Sequence, residues 1–143
     1  MTQSYDMVRS PAHYRGTTID VIDVIEDWGL GYHLGNALKY LLRAGKKGDT
    51  AQDVQKAAWY FERAMHDGHL RGGLAHPDAP VSVGQYQVSS EFRVPKPIMN
   101  IVADLQMAAL ATTPRDRKSH LMRAADGAWR HAADLNAAPE VVR

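Results

Sequence analysis

One stretch of the sequence collects side chains suited to binding a phosphate ester. Between residues 31 and 44, five polar residues recur at close to helical spacing: His33, Asn36, Lys39, Tyr40 and Arg43. On an α-helix such residues share one face. Arginine offers a planar fork of donors, lysine a compact charge, and asparagine and histidine directional N–H groups. The alternative is a solvated helix face on which Tyr40 lies flat against a neighbouring element.

A basic loop follows this face directly. Lys46 and Lys47 stand between two glycines, just before a helix predicted to begin at Asp49 or Thr50. Free backbone N–H groups and the positive end of a helix dipole favour an anion at such a point. The spacing is not that of a Walker A loop, and a helix rather than a strand precedes it. A turn with solvated lysines explains the same residues equally well.

Carboxylates precede the basic region. Residues 17–31 contain Asp20, Asp23, Glu26 and Asp27 and no lysine or arginine. Carboxylates at i and i+3, such as Asp20 and Asp23, can hold one Mg²⁺ when substrate phosphates complete its shell. The competing interpretation is a charged outer helix face, which the spacing alone favours.

Hydrophobic periodicity predicts an all-α protein of about five helices with one irregular Gly/Pro-rich insertion. The predicted helices cover about residues 17–29, 31–44, 49–67, 98–111 and 115–136. Residues 68–97 form the insertion, a long loop or a small hairpin, because glycine and proline recur there and residues 85–94 alternate weakly. The expected division is a helical module over 1–67, a linker or insertion over 68–97, and a C-terminal helical pair over 98–143.

The predicted third helix repeats the polar spacing of the second. Asp53, Lys56, Tyr60 and Arg63 follow the same order of intervals, with tyrosine third and arginine fourth. Two helices that pair through similar faces would show this pattern, although short helices also match by chance. Asp53 is also placed to complete a capping box at the start of the helix.

The C-terminal helical pair carries two apolar stripes. One consists of Ile98, Ile101, Val102 and Leu105, and the other of Leu121, Ala125, Ala128 and Trp129. A long irregular segment separates them from the first module, which suggests a semi-independent attachment. We expect the stripes to pack on each other and on a second subunit, with Trp129 in or beside the interface. A homo-oligomer is therefore predicted.

Composition excludes several other classes. The 143 residues include no cysteine, which excludes disulfides and thiolate metal sites, and a net charge of +1 gives no strong case for nucleic-acid binding. No stretch approaches the roughly 18 apolar residues of a membrane span, and the first ten residues lack the apolar run of an export signal. A cytoplasmic location fits best. His66, His69 and His76 have poor spacing for zinc.

Five segments together resemble a known family. They are Pro11–Tyr14, Ile19–Glu26, Gly29–Tyr40, Arg43–Gly48 and Lys56–Tyr60. This pattern, over about residues 8–66, resembles a family of small bacteriophage proteins. Some members are described as nucleotide kinases that phosphorylate deoxynucleoside monophosphates without a P-loop. The family usually has an Asn-His pair before the proline, where this chain has Arg9 and Ser10.

The resemblance implies a site that includes the face identified from spacing. The resemblance assigns no role to any single residue; in a nucleotide kinase the catalytic residues would be His33, Lys39 and Arg43. Substrate-binding residues would be His13, Tyr14, Asn36, Tyr40, Lys46 and Lys47. Asp20 and Asp23 would hold Mg²⁺, with ATP or another nucleoside triphosphate as donor. Tyr14, Tyr40 or Trp59 would stack on the base.

Two other functions stay open. A protein that binds or sequesters a nucleotide without turnover needs the same basic and aromatic face but no metal. In a kinase the acidic helix must face the basic one, whereas in a binding protein Asp20 and Asp23 are free to point to solvent. An inhibitor of a host factor would instead use the C-terminal helices. If phage-encoded, the protein would act in the host cell cytoplasm.

Overall fold

The computed structural model describes residues 8–66 and 82–137, and within these ranges the fold is all-α, as predicted. A short 3-10 helix, η1 (Ala12–Tyr14), precedes six α-helices. They are α1 (Val21–Asp27), α2 (Tyr32–Arg43), α3 (Thr50–His66), α4 (Gln85–Phe92), α5 (Lys96–Leu110) and α6 (Pro114–Ala137). The described ranges contain no strand, only an isolated bridge between Arg15 and Asp20.

The helices surround one hydrophobic core. Helix α3 packs on α2 and on α6, and α5 packs on α6. Leu38 of α2, Phe61 of α3 and Leu105 of α5 are fully buried in a single cluster. Apolar residues at intervals of three and four place one stripe of each helix toward this core. The apolar stripe predicted for α5 is confirmed, since all four of its residues are buried.

The C-terminal stripes are buried inside the chain itself. Ile98, Val102 and Leu121 belong to the same cluster as the residues of α2 and α3. The prediction that these stripes lie against a second subunit was wrong, because α3 covers α6. Trp129 remains 41% exposed, and its indole N–H donates a hydrogen bond to Glu62 of α3. The homo-oligomer itself stays a prediction.

Residues 85–92 form helix α4 where the sequence suggested a long loop or a small hairpin. Val88 and Phe92 lie four residues apart and are both buried, so one face of α4 enters the core. The helix ends at Arg93, whose φ of 49° is left-handed and whose N–H bonds the Ser89 carbonyl. The first part of the predicted insertion, residues 68–81, lies outside the described residues.

Two carboxylates join the segment around α4 to residues near α1. Asp27 accepts hydrogen bonds from the backbone of Ser82 at 3.0 Å and of Val83 at 2.8 Å. Glu91 accepts them from the Thr18 hydroxyl, the Thr18 backbone at 2.5 Å and the Ile19 backbone at 3.3 Å. These bonds, that of the Thr18 hydroxyl above all, hold the pKa of Glu91 below its usual value.

Helix α1 begins later than its sequence suggested. Asp20 is its N-cap, and Asp23 completes a capping box by accepting the Asp20 N–H at 2.7 Å. The preceding residues Thr17–Ile19 are held by Glu91 and therefore cannot extend the helix. None of the helices in the described part of the chain is long and apolar enough to cross a membrane.

Candidate functional site

The 3-10 helix brings two predicted site residues onto α2. The ring of His13 lies 4.1 Å from that of Tyr14, and the ring of Tyr14 lies 5.1 Å from the Lys39 ammonium. The Arg43 guanidinium donates a hydrogen bond to the Tyr14 hydroxyl, which raises the Arg43 pKa. The N-terminal arm and the polar face of α2 therefore form one surface.

Positive charge converges at this surface. The pKa of His13 is lowered, first by burial and then by the charges of Lys47, Arg43 and Lys39. Three cations from α2 and its following loop thus act on one side chain. Such a point attracts an anion, because each cation is stabilised when a negative group replaces water between them.

Aromatic rings extend the surface from α2 to α3. Tyr40 stacks on Tyr60 with ring centroids 5.9 Å apart and an interplanar angle of 15°. The Arg43 guanidinium lies 5.7 Å and the Lys56 ammonium 5.2 Å from the Tyr40 centroid, within the range of cation–π attraction. We call the whole set the cation–tyrosine surface: His13, Tyr14, Lys39, Tyr40, Arg43, Lys47, Lys56 and Tyr60.

An exposed aromatic rim borders this surface. Tyr32, 70% exposed, and Trp59, 54% exposed, both lie edge-on to Tyr60 at 6.1 Å and 5.1 Å. His33 lies 6.4 Å from the same ring. His33 is therefore on the aromatic side of the surface, next to Tyr60, rather than among the cations. Exposed rings beside a cationic patch suit a nucleotide, whose base stacks while its phosphate is neutralised.

Arg43 is paired with a buried carboxylate that sequence reasoning placed elsewhere. Its Nε lies 3.4 Å from Oδ2 of Asp53, a side chain that is 1% exposed. Burial raises the pKa of Asp53, although Arg43 acts in the opposite direction. Asp49, one of the two predicted N-caps of α3, accepts the Gln52 N–H at 3.1 Å, but Asp53 does not complete the predicted capping box because its carboxylate is buried against Arg43. The spacing that α3 shares with α2 was the available clue.

Two predicted residues are engaged by the backbone of α2. The Asn36 amide donates to the Tyr32 carbonyl at 2.7 Å, and the Lys46 ammonium donates to the Leu42 carbonyl at 2.6 Å. Burial lowers the pKa of Lys46. Lys46 lines a separate hollow of about 240 Å³ with Arg15 and Arg93. Neither Asn36 nor Lys46 joins the contacts that define the cation–tyrosine surface.

The carboxylates predicted to hold magnesium serve the start of α1. Asp20 lines a hollow of about 230 Å³ together with Tyr14 and Lys39, and it accepts the Ser10 hydroxyl at 2.8 Å. Asp23 is exposed and accepts the Asp20 N–H. In residues 8–66 and 82–137 no three His, Asp or Glu side chains are grouped to hold a metal ion. Magnesium binding by Asp20 and Asp23 together with a nucleotide phosphate stays a prediction, and His69 and His76 lie outside the described residues.

Two comparisons relate this chain to known proteins, one of them from a bacteriophage. Residues 8–62 match a family described as a protein of unknown function (DUF3310). The chain is also 42% identical over 71 residues to the Gene 1.7 protein of Enterobacteria phage T3. That match covers 43% of this chain and only 42% of the phage protein. No solved structure matches the chain significantly.

These similarities support the coarser part of the predicted resemblance, that to a small bacteriophage protein. The family match begins before η1 and ends within α3. It therefore includes every residue of the cation–tyrosine surface and Asp53, and it excludes α4, α5 and α6.

Proposed function

We propose that this chain binds a deoxynucleoside monophosphate at the cation–tyrosine surface and transfers a phosphoryl group to it, in the cytoplasm of the host cell. The observation that carries the proposal is the convergence of Lys39, Arg43 and Lys47 around His13 and Tyr14. A phosphate dianion needs several donors from one side, and this cluster supplies a guanidinium fork and two ammonium groups.

The proposed reaction needs positioning and charge neutralisation rather than a covalent intermediate. An oxygen of the bound monophosphate attacks the γ-phosphorus of a nucleoside triphosphate. The bond from that phosphorus to the β-phosphate oxygen breaks, so the donor leaves as a diphosphate and the acceptor becomes one. Lys39, Arg43 and Lys47 would stabilise the charge on the oxygens, and Tyr60 with Tyr32 would stack on the base.

The direct test incubates the purified full chain with Mg·ATP and each of the four deoxynucleoside monophosphates, and separates the products by ion exchange. At least one deoxynucleoside diphosphate is expected, in equal amount to ADP. Arg43→Ala should remove the product, whereas Arg115→Ala, at an exposed position on α6, should not. Absence of product with every acceptor, tested also with other triphosphates, would eliminate phosphoryl transfer.

A second candidate is a nucleotide-binding protein without turnover. The observation in its favour is that Asp20 and Asp23 are both occupied by the capping box of α1. Such a protein would bind monophosphates at the same surface and would release them unchanged. Its binding would also be lost in Arg43→Ala. Equilibrium binding without product formation would select this candidate, and absence of binding would overturn both.

A further inference from the structure

Asp53 is an unusual group to find inside this fold. Its side chain is fully buried, and neither carboxylate oxygen has a hydrogen-bond partner. Three charged groups act on it: Arg43 from α2, Lys56 from its own helix, and Asp49 from the turn before that helix. Only Arg43 comes within ion-pair distance, at 3.4 Å.

Folding alone gives no reason for this arrangement. A buried ion pair is often replaced by apolar side chains with no loss of stability, because desolvation offsets the attraction between the charges. The Arg43 side chain is 21% exposed, so water also weakens its attraction to Asp53. A fully buried carboxylate without hydrogen bonds is expected to lower stability, and its presence points to a role in the site.

The geometry of the pair indicates that role. Asp53 contacts Nε, the inner nitrogen of the guanidinium. The rest of the group extends toward Tyr14, whose hydroxyl it bonds, and toward the basic loop, where a Cβ at Gly48 would lie 3.8 Å from a terminal nitrogen. A guanidinium held at Nε keeps its two terminal nitrogens available as a fork, the geometry that binds a phosphate through two hydrogen bonds.

We propose that Asp53 is a positioning residue, which holds Arg43 so that its terminal nitrogens form the phosphate-binding fork of the cation–tyrosine surface. This inference rests on the binding part of the proposed function and not on phosphoryl transfer. Fixing a flexible arginine before the ligand arrives removes an entropic cost from binding. Asp53 itself never touches the ligand.

The pH dependence of phosphate affinity distinguishes a positioning role of Asp53 from a purely structural one. Because burial raises its pKa, Asp53 loses its charge at a higher pH than an ordinary aspartate does. Arg43 is then released, so phosphate affinity should fall as the pH is lowered. The isosteric Asp53→Asn variant has no titrating group at this position, so its affinity changes with pH only through protonation of the phosphate. The difference between wild type and variant therefore reports on Asp53 alone.

The test measures dissociation constants of the full chain for inorganic phosphate and the four deoxynucleoside monophosphates. Asp53→Asn should weaken binding at least tenfold at pH 7, with unchanged helical circular dichroism, and the difference from wild type should shrink at acidic pH. In an Arg43→Ala background the same substitution should have no effect, because Asp53 acts through Arg43. Asp104→Asn is the matched control: burial also raises the pKa of Asp104, which faces Arg123 at 3.8 Å far from the site.

Each outcome decides between the proposals. If Asp53→Asn binds with wild-type affinity while Arg43→Ala no longer binds, the positioning role is overturned and the proposed function is left intact. Failure of the wild-type protein to bind any of these ligands would overturn both. If Asp53→Asn unfolds, a second measurement on the wild-type chain takes the place of the variant: the nitrogen NMR signal of Arg43 Nε. A sharp signal that is lost on acidification supports the proposal, and a signal that is averaged by rotation at pH 7 contradicts it.

Discussion

At the scale of single residues, Arg43 connects three parts of the chain. It is ion-paired with Asp53 on α3, hydrogen-bonded to Tyr14 on η1, and placed over the ring of Tyr40 on its own helix. The sequence alone identified Arg43 through its spacing on α2. It could not identify Asp53, because the polar face of α3 gives no indication of which member is buried.

Replacement of Arg43 by alanine should remove nucleotide binding; the helices should remain, but the melting temperature should fall because the buried Asp53 loses its ion-pair partner. Hydrogen bonds to charged groups contribute about 1.5–3 kcal/mol each, so loss of the fork should weaken binding by roughly 10- to 100-fold or more. Calorimetric titration with a deoxynucleoside monophosphate measures the loss, and circular dichroism checks the helices. A joint loss of helicity and binding would instead make Arg43 a structural residue.

Asp53→Asn should also change the pH dependence of stability. A carboxyl whose pKa is raised by folding stabilises the fold below its unfolded pKa, and this contribution is lost as the pH rises through the folded pKa. At pH 7 the asparagine variant should therefore melt at the wild-type temperature or above it, and the two curves should converge toward acid. Thermal melts between pH 4 and pH 7 would contradict this if the variant melted several degrees lower at pH 7.

At the scale of elements, α1 and α4 show where sequence reasoning reached its limit. Asp20 and Asp23 lie three residues apart, the same spacing for a capping box as for a metal pair, and only the start of the helix distinguishes them. In α4, Val88 and Phe92 are buried four residues apart, but polar residues around them imitate strand alternation. The longer helices were found because their apolar stripes repeat over several turns.

Glu91→Gln should lower stability at neutral pH by loosening the contact between α4 and residues 18–19. A glutamine amide has one acceptor oxygen, so it cannot accept all the hydrogen bonds that Thr18 and Ile19 give to the carboxylate. A fall in melting temperature on the order of a few degrees is expected for a domain of this size.

The pH dependence of this effect has a definite sign. The pKa of Glu91 is lowered in the fold, so its contribution is present above the unfolded pKa and is lost as the pH falls through the folded value. The melting difference should accordingly disappear in acid. Glu26→Gln, at an exposed position on α1, is the control and should melt as wild type at every pH.

At the scale of the whole molecule, the apolar faces of the long helices were predictable from the sequence, whereas the helices that cover them were not. The stripe of α3 is wide enough to contact two neighbours, and α2 covers one side while α6 covers the other. The length of the insertion predicted over residues 68–97 suggested a separate attachment for the C-terminal helices. The length of a segment does not indicate which face a later helix will cover. In this fold α6 packs on α3.

A chain ending at His66 should therefore lose its stable fold. Removal of α6 would expose the α3 face around Phe61 and Ala64, both fully buried in the intact chain. Exposing large buried side chains costs about 1.5–3 kcal/mol each, a large fraction of the stability of a small domain. Loss of the cooperative melt by circular dichroism is expected, whereas a chain ending at Ala137 should retain it. A cooperative, nucleotide-binding 1–66 fragment would contradict this prediction.

The packing of α6 on α3 also sets the order of events during synthesis. When α3 leaves the ribosome, another 71 residues, 67–137, must be added before α6 is complete. At the elongation rates of cells this takes roughly 4 to 14 s. Throughout that interval the side of α3 that α6 later covers is exposed, and the nascent chain is open to chaperones and proteases. The residues of the cation–tyrosine surface are thus made first, and their support arrives with the last described helix.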